Sequence, residues 1–195
     1  QLNTINAATA TAVNLTHVTG LAASSLSDLG TLATAIDAGE FSNASGLTAI
    51  AVSDATVDAT TLATRIDDFD DIGDATTDMT LASGATINVD ADEITHMLAD
   101  RTAGRLSIDD QKITVNAADT ISVDTANDLS SITTGVLTAT IATTETVGEL
   151  ATLSADGGNN ALTITIREQD ATAATASQLN TINAATATAV NLTHV

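Results

Sequence analysis

The segment QLNTINAATATAVNLTHV occupies residues 1–18 and returns, letter for letter, at residues 178–195. An identity of that length does not arise by chance, so the sequence carries a period of 177 residues (178 minus 1). A fold compatible with the period must offer the same letters a workable environment twice, as tandem arrays do. The expectation is one complete long repeat over residues 1–177, with residues 178–195 opening the next copy.

A looser, shorter period runs inside the long one. Its anchor is a small or polar residue, an aliphatic, two further residues and a second aliphatic, as in Gln1-Leu2-Asn3-Thr4-Ile5, Ser25-Leu26-Ser27-Asp28-Leu29 and Asp128-Leu129-Ser130-Ser131-Ile132. The anchors fall at 2, 26, 62, 94, 129, 150 and 179, so six short units fill one long period. Aliphatics three to four apart share one helix face. Ser24, Thr60, Asp90 or Asp92, Thr125, Thr146 and Ser177 stand where N-caps are expected. Residues 26–36 and 62–72 sustain the helical pattern longest. Between anchors the pattern alternates, which predicts strands over 13–18, 47–52, 86–89, 106–108, 113–115, 121–123, 137–141 and 162–166. Val57-Asp58, Val89-Asp90 and Val123-Asp124 read as strand ends entering helices. Turns are expected at Gly46, Gly84, Asp109-Asp110, Asn116 and residues 156–160.

These units predict an α/β repeat solenoid, with a short helix and one or more short strands per rung and about six rungs per period. The alternative is a set of tandem α+β domains joined as beads on a string. Composition favours the solenoid: 44% of the chain is apolar, yet Phe41 and Phe69 are its only aromatics, which suits a thin aliphatic core. The helix motif also runs through the junction at Ser177-Gln178 with no proline- or serine-rich linker.

A formal charge of −20, from 25 acids against 5 bases, argues against nucleic acid and anionic bilayers as partners and invites cations instead. Without cysteine there is neither a disulfide framework nor a thiolate metal site. No apolar run approaches the length of a membrane span.

The candidate metal site is Asp67, Asp68, Asp70, Asp71 and Asp74, carboxylates dense enough to gather Ca²⁺ weakly. Their spacing departs from an EF-hand, since Ile72 stands where a ligand is needed, and Ile66, Phe69 and Ile72 form an apolar stripe. A solvated acidic helix face is the simpler account. Asp90/Asp92 and Asp109/Asp110 fit capping and turn formation. The run Gly157-Gly158-Asn159-Asn160 resembles glycine-rich calcium rungs of secreted adhesins but lacks their later Gly and Asp. His17, with its repeat His194, and His96 stand at no recognised catalytic or metal-binding spacing. Asn14-Leu15-Thr16 and Asn43-Ala44-Ser45 match the glycosylation sequon. The pairs Thr9/Thr11, Thr138/Thr140 and Thr163/Thr165 would order water or bind ice if stacked on a flat face, though threonine is ordinary on exposed strands.

The run Thr175-Ala176-Ser177-Gln178-Leu179-Asn180-Thr181-Ile182-Asn183-Ala184-Ala185-Thr186 resembles a motif of giant tandem-repeat surface proteins of bacteria, cyanobacteria in particular. Those proteins are very large, acidic and poor in cysteine. The resemblance implies an extracellular, cell-surface location and a role in a filament, surface layer, adhesion or motility. The expected function is a structural protein whose identical repeats stack head to tail. The alternative is an adhesin or binding module with a calcium-rigidified stalk or an ice-binding face. An enzyme is not expected, because no residues converge on a site and no Trp or Tyr is present to stack a sugar.

Overall fold

A computed structural model of the chain describes residues 1–72, 77–154, 159–167 and 174–192. Along the chain lie α1 (Leu2–Asn6), β1 (Val13–Asn14), β2 (Gly20–Ser24), α2 (Leu26–Asp37), β3 (Phe41–Ser42), a 3₁₀ turn (Ala44–Gly46), β4 (Ala49–Val52) and β5 (Thr56–Asp58). Next come α3 (Ala59–Ile72), β6 (Asp78–Leu81), β7 (Thr86–Val89), α4 (Ile94–Thr102), β8 (Leu106–Ser107), β9 (Lys112–Val115) and α5 (Val123–Ile132). The last described elements are β10 (Leu137–Thr140), α6 (Val147–Leu150), β11 (Ala161–Thr163), β12 (Thr165–Ile166), α7 (Ala176–Ala184) and β13 (Asn191–Leu192). The fold is α/β with parallel sheets.

Two compact units divide these elements: residues 1–85 with 93–108, and residues 86–92 with 109–195. In the first unit β2, β4, β6 and β8 lie side by side, and β1 pairs with β3. In the second, β7, β9, β10 and β11 lie side by side, and β12 pairs with β13. Each of these pairings is parallel, with partners from 23 residues apart (Thr138 opposite Ala161) to 29 (Gly20 opposite Ala49). Parallel neighbours cannot be joined by a tight turn and need a crossover of a dozen residues or more, which is where the helices fall. Thus α2 lies between β2 and β4, α5 between β9 and β10, and α7 between β12 and β13.

Alternation along each strand sends one set of side chains inward, and parallel register stacks that set into rows. Ile50, Met79 and Leu106 form one such row and Ile87, Ile113 and Leu137 another, every member buried. Full burial of such a side chain stabilises the fold by about 1.5–3 kcal/mol. The apolar stripe of α3 behaves as its spacing predicts: Leu62, Ile66 and Phe69 are buried and Ile72 is half-buried. Among the described residues no helix is long and apolar enough to cross a membrane.

Local boundaries differ from the sequence expectation in both directions: the caps of α3, α5 and α7 lie two or three residues before the expected ones, and those of α2 and α4 lie after them. Ser25, not Ser24, caps α2; Asp58, not Thr60, accepts the Thr61 N–H of α3; Ser122, not Thr125, caps α5; and Thr175, not Ser177, caps α7. In α3, α5 and α7 a small or β-branched residue (Ala59, Val123 or Ala176) opens the first turn, so the anchor leucine is not the first helical residue. The α4 anchor Ile94 does open its helix, and the residue before it, Glu93, is the N-cap in place of Asp90 or Asp92. Thr146 is a cap as expected, within a full capping box with Glu149. Its N–H and hydroxyl hold the Glu149 carboxyl below the usual carboxylate range. The strand expected over 13–18 stops at Asn14, because the Asn14 side chain accepts from the Thr16 N–H at 2.9 Å and turns the chain. Ile121 makes only a single bridge to Ile141, and Val123 is helical.

Gly135 marks a close backbone approach within the second unit. A Cβ there would sit 2.3 Å from the Gln111 carbonyl oxygen and 2.6 Å from its carbon. Gly135→Ala is therefore expected to destabilise the chain by about 1–3 kcal/mol, read from the urea midpoint. An unchanged midpoint would show that this loop yields freely.

Candidate assembly element and charged cleft

The acidic run on α3 is met by arginine. Arg65 reaches Asp68 at 2.7 Å, one helical turn along. Arg105, just before β8, contacts Asp70 at 3.4 Å and Asp67 at 3.5 Å, and its other terminal nitrogen bonds Asp100 on α4. Asp71 is exposed, and Asp74 lies outside the described residues. Three carboxylates of the candidate calcium site, Asp67, Asp68 and Asp70, are thus split between two guanidinium groups. Among the described residues no group of three or more His, Asp or Glu side chains is placed to hold a metal ion.

Asp100 is almost fully buried, and burial pushes its carboxyl above the usual range, with Arg105 and His96 opposing the rise. Between α3 and α4 lies a cleft of about 200 Å³ lined by Asp67, Glu93, His96 and Asp100 together with Leu62 and Met97. Neither Arg105 nor Asp100 stood out in the sequence. Their approach to Asp67 depends on the packing of α3, α4 and β8, which no local spacing reports.

The remaining candidates have ordinary surroundings. His17 is exposed in the turn after β1, and His194 lies outside the described residues. Asp90 accepts from the Asn116 side chain at 2.9 Å, Asp92 is exposed, and Asp110 accepts from Gln111. The two sequon asparagines meet, Asn43 donating to Asn14 at 3.1 Å. Gly157 and Gly158 lie outside the described residues, while Asn160 is buried. Thr138 and Thr140 share a sheet face with Thr163 opposite Thr140, but Asn88 and Lys112 interrupt that face.

A feature absent from the sequence reading is a set of buried polar side chains that tie one strand entrance to an earlier one. Thr77 donates to the Leu47 carbonyl at 3.1 Å, and Thr133 to the Gln111 carbonyl at 2.5 Å. Asn160 accepts from the Leu137 N–H at 3.1 Å and donates to Ser130. Thr186 accepts from the Leu162 N–H and donates to the Leu162 carbonyl, each at 2.9 Å. Buried groups so satisfied fix register, since a slip would leave them unpaired.

Thr186 belongs to the repeated segment, which the structure shows in two settings. At residues 178–192 the segment lies within α7 and β13: a Thr175–Gln178 capping box starts the helix, and β13 runs parallel to β12 with the Asn191 N–H donating to the Ile164 carbonyl at 2.9 Å. At residues 1–18 it forms α1 and β1, and β1 runs parallel to the later β3, Val13 and Leu15 donating to the Glu40 and Ser42 carbonyls at 2.9 and 2.8 Å. A parallel strand offers successive residues to opposite neighbours. The segment therefore turns residues 13 and 15 toward a strand later in the chain. It turns the position of Asn14 (Asn191 in the second copy) toward an earlier one. Both copies keep the same inner turn, with threonine hydroxyls 3.0 Å apart at Thr9/Thr11 and at Thr186/Thr188.

No protein-family model, no curated protein and no solved structure matches the chain.

Proposed function

We propose that the chain is a structural repeat protein of the cell surface, whose 177-residue periods stack head to tail into a continuous α/β solenoid. The observation that carries the reading is the strand ladder: parallel partners recur 27 to 29 residues apart in the first unit and 23 to 26 in the second, inside the 21- to 36-residue spread of the anchor steps. Such a ladder has no internal stop, and each rung is covered only by its neighbours. The role is mechanical, and the chain is read as a non-enzyme. The acidic composition and absence of cysteine fit an extracellular filament or surface layer, with calcium acting at most as a counter-ion to exposed carboxylates.

Small-angle scattering on polypeptides of one, two and three periods tests this. Six rungs at about 4.8 Å predict roughly 30 Å of added length per period at constant cross-section. Independent globular subunits on a flexible string would sink the solenoid and return the tandem-domain alternative. Chelator is expected to leave the length unchanged; shortening would make calcium a structural ligand.

A further inference from the structure

Resting on the head-to-tail reading, we infer that the face of the first 18-residue copy is a docking surface for the edge formed by residues 160–166 of another copy of this chain. That edge is also the seat of the chain's own residues 178–192, so the two copies of the repeat compete for it.

The observation is an inversion of exposure between identical sequences. Ile5 is 51% exposed, whereas Ile182, the same position in the second copy, is 0% exposed. Leu15 is 1% exposed, whereas its counterpart Leu192 is 47% exposed. Ile5 and Leu192 are the large hydrophobics left exposed among the described residues. Each is buried in the copy that has the neighbour its twin lacks. Thr9 obeys the same rule: its twin Thr186 is buried on both polar groups of Leu162, while Thr9 is exposed. Asn14 presents to open solvent the backbone side that Asn191 bonds to Ile164.

The occupant is thus specified by sequence. Whatever covers Ile5, Thr9 and Asn14 has to offer what meets Ile182, Thr186 and Asn191: α6, against which α7 packs, and the strand edge at Leu162 and Ile164, which bonds Thr186 and Asn191. In a covalent array that edge is supplied by the preceding period. Between separate chains it becomes free only when residues 178–192 leave it, and the contact is then open-ended and propagates.

The experiment weakens the internal plug in the full chain and asks whether the first copy of another chain replaces it. In sedimentation at rising concentration, the unaltered chain is expected to stay at the mass of one 19.5 kDa molecule. Ile182→Asp is expected to form dimers and longer chains, and Ile5→Asp with Ile182→Asp to return to the single mass. The free peptide QLNTINAATATAVNLTHV, added in excess, is expected to cap the Ile182→Asp chains, and the same peptide with Ile5→Asp to leave them intact. The inference is overturned if Ile182→Asp keeps its circular dichroism and remains single. It is equally overturned if the double variant associates as the single one does, or if both peptides act alike. Should Ile182→Asp lose its fold, fluorescence anisotropy of the labelled peptide on the milder Ile182→Ala chain decides: saturable binding that Ile5→Asp in the peptide abolishes supports the inference, and its absence overturns it. Rod growth across covalent periods alongside a negative result here would leave the array standing and remove only this interface.

Discussion

Replacing Ile182 with alanine is expected to cost about 3 kcal/mol, and the same replacement at Ile5, in an identical sequence, less than about 0.5 kcal/mol. Ile182 is fully buried in α7, so truncation loses its transfer free energy and leaves a cavity that its neighbours fill only in part. Ile5 stands half exposed on α1, which buries none of its residues, so the side chain has little to lose. Urea unfolding followed by circular dichroism reads both, with the midpoint moving at constant slope for a change in stability alone. Because the letters around the two positions are the same, helix propensity cancels, and the difference isolates packing. Joining two periods covalently should bring the inner copy of Ile5 up to the cost of Ile182. Equal costs at the two sites in the single chain would mean that α1 is held by contacts on its exposed face, against the burial described above.

That pair also marks how far the sequence could be read. The alternation of helix and strand was legible because it rests on local periodicity: residues 86–89 form β7 as expected, and α2 and α3 cover the two segments with the longest helical pattern. Caps were legible only where side chain and geometry coincide, as at Thr146; in α5 and α7 a serine or threonine two or three residues upstream did the same work, and in α2 the next serine along did. Short strands such as β3 and β13 exist by pairing with a neighbour, and two residues carry no pattern of their own. The repeated segment makes the limit concrete. One set of letters forms a five-residue helix with no side-chain cap in one place and lies within a nine-residue boxed helix in the other. The added turn comes from residues 174–177, the packing of the helix from α6 and the tie at Thr186 from Leu162, none of which the segment encodes. The acidic run was visible as charge, but its partner Arg105 lies 35 residues beyond Asp70 and is brought there only by the fold.

Arg105 carries the second large effect. Arg105→Met is expected to destabilise the chain by about 3 kcal/mol at pH 7. The loss should shrink as pH falls toward the acid range. Arg105 is the ion-pair partner of Asp100, and without it a nearly fully buried carboxylate keeps its charge with no guanidinium beside it. Asp67 and Asp70 are more exposed, so water takes over their share and they add little. The sign is set by the direction of the Asp100 shift. Burial raises its folded pKa above the unfolded value, so the neutral carboxyl favours the folded state. That contribution is fully present below the unfolded pKa and is lost as pH rises through the folded one. Removing Arg105 takes away a group that opposes the rise, so the folded pKa climbs further and the window widens upward. Denaturation midpoints between pH 4 and pH 7 should therefore fall more steeply with rising pH in Arg105→Met than in the unaltered chain. Adding Asp100→Asn to that variant should remove the extra slope, since the buried group then has no charge to lose. A pH-independent deficit in Arg105→Met would assign the arginine a packing role, through its aliphatic stem, in place of the electrostatic one.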